Sequence, residues 1–88
     1  MFPLGRIVAT PGALEAMEAA HVAPASLIVR HQSRDWGEID PGDIGMNEAA
    51  LENGDRILSV YHIGKGDVIW IITEWDRSVT TLLLPEDY

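Results

Sequence analysis

Residues 56–84 read RILSVYHIGKGDVIWIITEWDRSVTTLLL, and their apolar period decides the fold. From Arg56 onward Ile57, Ser59, Tyr61 and Ile63 alternate with Leu58, Val60 and His62, the period-2 pattern of a β-strand. Gly64-Lys65-Gly66-Asp67 supplies the conformationally permissive residues of a hairpin, and Val68 to Trp75 forms the next strand. Trp75-Asp76-Arg77-Ser78 is a second turn, and Val79 to Leu84 is the last strand before Pro85. Ile69, Trp70, Ile71 and Ile72 are apolar on both faces, as a central strand covered by helices on one side would be.

Upstream of this meander the period lengthens to that of helices. Gly5 to Thr10 has the β-branched content of a short strand. Thr10-Pro11 then starts a helix, with the Thr10 hydroxyl as N-cap and Pro11 where a missing N–H costs nothing. Leu14, Met17 and His21 follow at spacings of three and four, giving an apolar face to a helix that ends near Ala20. A second helix runs from Pro24 to about Gln32, with Leu27, Ile28 and His31 on one side, until Ser33-Arg34-Asp35-Trp36-Gly37 breaks it. Asp40-Pro41-Gly42-Asp43 signals a third, with Asp40 as cap, Ile44, Glu48 and Leu51 on one face and Asn53-Gly54 as its stop. Gly45 leaves open a later start near Met46 or Asn47. The expectation is a single α+β domain over residues 1–88: a short N-terminal strand and two to three helices packed on one face of an antiparallel β-meander. Ile57, Leu58, Val60, Ile69, Ile71, Leu82 and Leu83 should supply the core of the sheet, with Leu14, Met17, Leu27, Ile28 and Leu51 packed on it.

With 88 residues, 47% of them hydrophobic, the chain can bury one core and has no room for a second domain. The absence of cysteine excludes disulfides, thiolate metal sites and cysteine nucleophiles. No apolar run approaches a membrane span, and no signal peptide is visible, so a cytoplasmic location is expected. The formal net charge is −8, and Asp35, Glu38, Asp40, Asp43, Glu48, Glu52 and Asp55 lie between Arg34 and Arg56 with no base among them. Such a face repels a phosphate backbone and attracts a basic protein groove, although an acidic helix also serves plain solubility.

Few residues point to chemistry. His21, His31 and His62 fall on three elements at no metal-binding spacing, so neither a metal nor a cofactor is expected. Gly64-Lys65-Gly66 is not followed by a helix, which removes the phosphate-loop reading. His31 with Asp35 could form an oriented general base, or simply a half-buried helix residue beside a turn acid. The stretch Thr73 to Thr81 crowds acids, an arginine and hydroxyls at one turn. This suits a site, and equally suits local turn bonding with Arg77 paired to Glu74.

Three segments carry a resemblance: His31 to Gly37, Ile71 to Thr81, and Leu83-Leu84-Pro85-Glu86-Asp87-Tyr88. Together they resemble a family of small bacterial proteins borne on plasmids and phages, mostly called hypothetical or plasmid-related, some carrying a doubtful type I restriction-subunit label. The resemblance spans nearly the whole chain and implies carriage on mobile elements. In topology the chain also resembles the RelE-like and barnase-like RNases. That likeness would make His31, Tyr61, Glu74, Arg77 and Thr81 the catalytic candidates, against the acidic balance of the chain. The leading expectation is an acidic accessory protein that binds a protein with a basic surface through Asp35, Glu38, Asp43, Glu48 and Glu52. Its target would be a host nucleic-acid-handling defence system such as restriction or CRISPR machinery. Direct nucleic-acid or membrane binding is not expected.

Overall fold

The computed structural model describes residues 1–88. Strand β1 (Arg6–Ala9) is followed by helices α1 (Pro11–Ala19), α2 (Pro24–Gln32) and α3 (Pro41–Asn53). Strands β2 (Ile57–Ile63), β3 (Asp67–Thr73) and β4 (Val79–Leu83) come next, and a short 3-10 turn over Pro85–Asp87 ends the described elements. The meander forms as the alternation predicts: β2 pairs antiparallel with β3, which pairs antiparallel with β4. β1 adds a parallel pairing to the far side of β4, with Arg6 opposite Val79 and Ala9 opposite Leu82, so the sheet is mixed, in the order β1-β4-β3-β2. The class is α+β. No helix is long and apolar enough to cross a membrane.

α1 and α2 cover one face of the sheet, and α3 packs along its β2 edge through Asn47, with Ala50 meeting Ile57. Ile57, Ser59, Tyr61 and Ile63 of β2, Ile69, Ile71 and Thr73 of β3, and Thr80 and Leu82 of β4 point under them and are buried. Ala13 and Met17 of α1 and Leu27 of α2 meet Tyr61, Ile63, Ile69, Ile71 and Leu82 in the larger core. Phe2, Leu4, Trp36, Ala50 and Ile57 form a second core, partly covered by Ile28, Ile39 and Leu51. Several expected facings are corrected here. Leu14 is exposed while the smaller Ala13 is fully buried, because the helix lies close to the sheet and a methyl fits where an isobutyl group does not. His21 lies beyond α1 with a positive φ of 57°, so it extends no apolar stripe. Leu58 and Val60 are only half-buried, since they point to the face without helices.

Caps behave unequally. The Thr10 hydroxyl accepts from the Ala13 amide at 3.2 Å, as expected, and donates to Asp87 at 2.6 Å. Asp40 occupies the N-cap of α3 without a side-chain cap bond, and Pro41 is already helical, so α3 begins early despite Gly45. Gly54 closes α3 in the left-handed conformation that glycine tolerates best. α3 does not bury Ile44, Glu48 and Leu51 together: its fully buried residues are Asn47 and Ala50. The Asn47 amide donates to the Leu58 carbonyl at 2.7 Å and accepts from the Leu58 N–H at 3.1 Å, so one side chain stands in for a neighbouring strand. Further along the same edge Trp36 and Glu38 bond Val60 through their backbones. Gly37 between them sits at φ +74° with the Val60 carbonyl 2.0 Å from where a Cβ would be, so only glycine fits.

Candidate functional site

His31 stands at the centre of the molecule. It is buried completely, not partly, and has no contact with Asp35, so the oriented general-base pair does not form. Its ring lies edge-on to Phe2 at 5.4 Å and to Trp36 at 5.8 Å, with Nδ1 2.5 Å from the Ser59 hydroxyl and Nε2 2.9 Å from that of Thr73. Thr73 bonds Thr80 at 2.8 Å, and Thr80 donates to the Leu4 carbonyl at 2.8 Å.

That last bond fixes every proton in the chain of groups. A carbonyl only accepts, so the Thr80 hydrogen goes to Leu4; Thr73 must then donate to Thr80, and His31 must donate to Thr73 from Nε2. The tautomer is therefore Nε2–H, with Nδ1 accepting from Ser59. Burial alone, with no carboxylate facing the ring, pushes the His31 pKa down to about 4. A neutral, saturated imidazole closed off from solvent joins α2 to β2, β3, β4 and the segment before β1. It has no open side on which a substrate could sit.

The other catalytic candidates do not converge on it. The Tyr61 hydroxyl donates to the Asp35 carbonyl at 2.6 Å, and burial raises its pKa to about 12. Thr81 points to the opposite face of the sheet from His31, and Glu74 lies beyond the end of β3. Arg77 does not pair with the Glu74 carboxylate. Its guanidinium donates to the backbone carbonyls of Ala50 (3.0 Å), Asp55 (2.7 Å) and Glu74 (3.0 Å) and clamps the end of α3 to the β3–β4 turn. Arg77 itself has φ +59°, so the turn adopts a conformation that costs a bulky residue energy, and the carbonyl bonds offset it. Arg77→Ala is accordingly expected to lower stability by about 1–3 kcal/mol by leaving those carbonyls without their charged donor, measured by urea unfolding. An unchanged midpoint would release Arg77 from this structural role.

The acidic segment divides into two groups. Asp35 accepts from Arg30 at 2.7 Å and from the Gly37 amide at 3.2 Å, bonds that hold its carboxyl below the usual range. Glu38 lies 3.0 Å from His62. Glu48 accepts from Arg34 and, at 3.0 Å, from the Trp36 indole, which fastens α3 to the loop before it. These three of the five expected binding acids have partners within the chain, Asp35 and Glu38 in exposed pairs at the surface. Asp43 and Glu52 are exposed and free of ion pairs, as are Asp40 and Asp55, which the sequence reading did not place among the binding residues. On the same helix Ile44 and Met46 are 42% and 69% exposed, and Trp75 at the β3–β4 turn is 66% exposed. Ile44 and Met46 were hidden from sequence reasoning because α3 has apolar residues on every side, and only tertiary contact shows that Asn47 is the one turned inward. Asp43, Met46, Asn47, Ala50, Asp55 and Arg56 line a shallow depression of about 400 Å³ beside Leu58. No family model, curated protein or solved structure matches the chain.

Proposed function

We propose that the protein works by binding another protein, through the outer side of α3, as an accessory protein of a mobile element. The partner in this reading is a component of a host nucleic-acid-handling defence system whose basic, nucleic-acid-facing groove the helix occupies, which inhibits or modulates it. One observation carries the binding surface: α3 buries Asn47 and Ala50 and leaves most of the rest of its circumference exposed, with Met46 beside the unpaired carboxylates of Asp43 and Asp55 on one flank, Ile44 on the opposite flank and Glu52 between them. Apolar anchors with a charged surround are the usual anatomy of a protein-recognition patch: the anchors supply affinity and the charges supply approach rate and register. Nothing in the placement of His31, Tyr61, Glu74, Arg77 and Thr81 favours the nuclease reading to the same degree.

The test replaces Asp40, Asp43 and Glu52 by Asn, Asn and Gln, and separately Met46 by Ser, and measures capture of proteins from bacterial extract at low and moderate salt. Both changes lie on exposed positions and should leave melting nearly unchanged. The same captured protein should be lost with both variants, and wild-type capture should weaken as salt rises, because exposed charges are screened over about 8–10 Å. Capture that neither variant alters at any salt would overturn the reading.

A further inference from the structure

The helix-covered face of the sheet is accounted for, but the other face is not. In antiparallel sheets with one open side, outward residues are ordinarily polar. Here the register places Val8, Leu58, Val60, Val68, Trp70 and Leu83 on the open side, with Thr81 and Ile72 between them. Residues 85–88 cover this face only in part. The Tyr88 ring packs edge-on to Trp70 at 6.0 Å and its hydroxyl accepts from Arg56 at 2.6 Å, while the ring itself stays 68% exposed. Ile72 and Leu83 are buried, and Val8, Leu58, Val60, Val68, Trp70 and Thr81 stay partly accessible.

Charge says what can lie against such a face. The chain carries a net −8, yet the four strands themselves turn no carboxylate to this side: they show Arg6 and His62 there, and Glu38 reaches it only at the β2 edge, beside His62. Over the rest of the chain acids outnumber bases, so two copies brought together elsewhere meet net like charge. A basic partner is drawn to α3 and away from Arg6 and Arg56, and a polyanion is repelled by the molecule as a whole. We infer that this open sheet face packs against the same face of a second copy, as two sheets stacked in a symmetric dimer. Strands of four, seven, seven and five residues, at about 3.3 Å per residue and about 4.8 Å apart, give on the order of 360 Å² of face. A standard stable interface buries roughly 800 Å² per partner and each copy carries a net −8, so the dimer is a weak one. This surface meets the α3 depression at Leu58 and Arg56, but Val68 faces His62, four residues along β2 from Leu58, and Thr81 is on β4, so each reading can fail without the other.

Sedimentation velocity of the full chain between about 5 and 500 µM tests the inference. The expected result is a concentration-dependent rise from one 9.7 kDa chain toward twice that mass. The rise should be abolished by Val68→Glu, which puts a carboxylate from each copy into the stacked apolar faces, and retained by Ile44→Glu on α3. Thr81→Glu repeats the test at a position that is already polar, should Val68→Glu fail to fold. A wild-type chain that stays monomeric at 500 µM, or Glu variants that dimerise as well as wild type, would overturn the inference. So would a wild-type chain whose Trp fluorescence is quenched by a short single-stranded oligonucleotide and restored by those variants, because the face would then serve nucleic acid.

Discussion

Lowering the pH from 7 to 4.5 should destabilise the protein by a few kcal/mol, and His31→Gln should remove most of that dependence. The imidazole has an ordinary value of 6.5 when unfolded and about 4 when buried between Phe2 and Trp36. The sign follows from proton counting: between these values the unfolded chain binds a proton that the folded chain does not, so acid favours unfolding. Stability is fully present above pH 6.5, falls as the pH drops toward 4, and loses no more from this group below that. At 1.36 kcal/mol per unit the loss is on the order of 3 kcal/mol, a large share of what a small domain possesses. Asp35, Asp76 and Asp87 are held below the usual carboxylate value of 3.8, so their contributions are lost only under stronger acid and do not obscure this window. His31→Gln keeps an amide that can reach one hydroxyl but cannot ionise, so it should start less stable at pH 7 and change little down to 4.5. Urea unfolding at intervals of half a pH unit reads both curves. A wild-type curve that is flat from 7 to 4.5 would mean that the ring is reached by water.

The same network explains why the histidine was legible as a residue of interest and illegible in its role. Its helix and the side of that helix follow from the spacing to Leu27 and Ile28, and the structure keeps both. Its partners Ser59 and Thr73 lie 28 and 42 residues away on two strands, and only pairing of β2 with β3 brings them under one ring. Arg77 repeats the lesson, since its carbonyl partner at Ala50 is 27 residues distant and local turn chemistry could suggest only Glu74. The elements themselves were written locally, in Pro11, Pro24 and Pro41 at the helix starts, Gly54 at a stop and the alternation through β2. What no local signal announced is the parallel docking of β1 on β4, because β1 has only four residues and its partner follows more than 70 residues later. The acids between Arg34 and Arg56 read as one face in sequence and divide in space, because Arg30, Arg34 and His62 come from outside the segment to pair with three of them.

Ile71→Ala should be among the most damaging single truncations in the sheet. Ile71 is fully buried in β3, opposite Ser59 of β2 and Leu82 of β4, and packs in the core that Met17 and Leu27 close from above. Removing its buried methyl and methylene groups forfeits their transfer energy and leaves a cavity that two flanking strands cannot collapse, for a loss of about 2–5 kcal/mol. Native domains hold roughly 0.05–0.15 kcal/mol per residue, about 4–13 kcal/mol for a chain of 88, so the loss is a large share of the stability. At about 4–8 °C per kcal/mol for a domain of under 100 residues, the melting temperature should fall by at least 8 °C, and partial unfolding at 37 °C is expected. Leu14→Ala provides the contrast. Sequence spacing counts Leu14 among the core, but it is 47% exposed on α1, and alanine is the better helix former, so its loss should stay within about 0.5 kcal/mol. The ratio of the two effects tests how α1 is rotated on the sheet, because turning the helix to bury Leu14 would expose Ala13 and make Leu14→Ala costly. Equal losses from both substitutions would require that rotation, and an unchanged melting temperature for Ile71→Ala would move β3 out of the centre of the sheet.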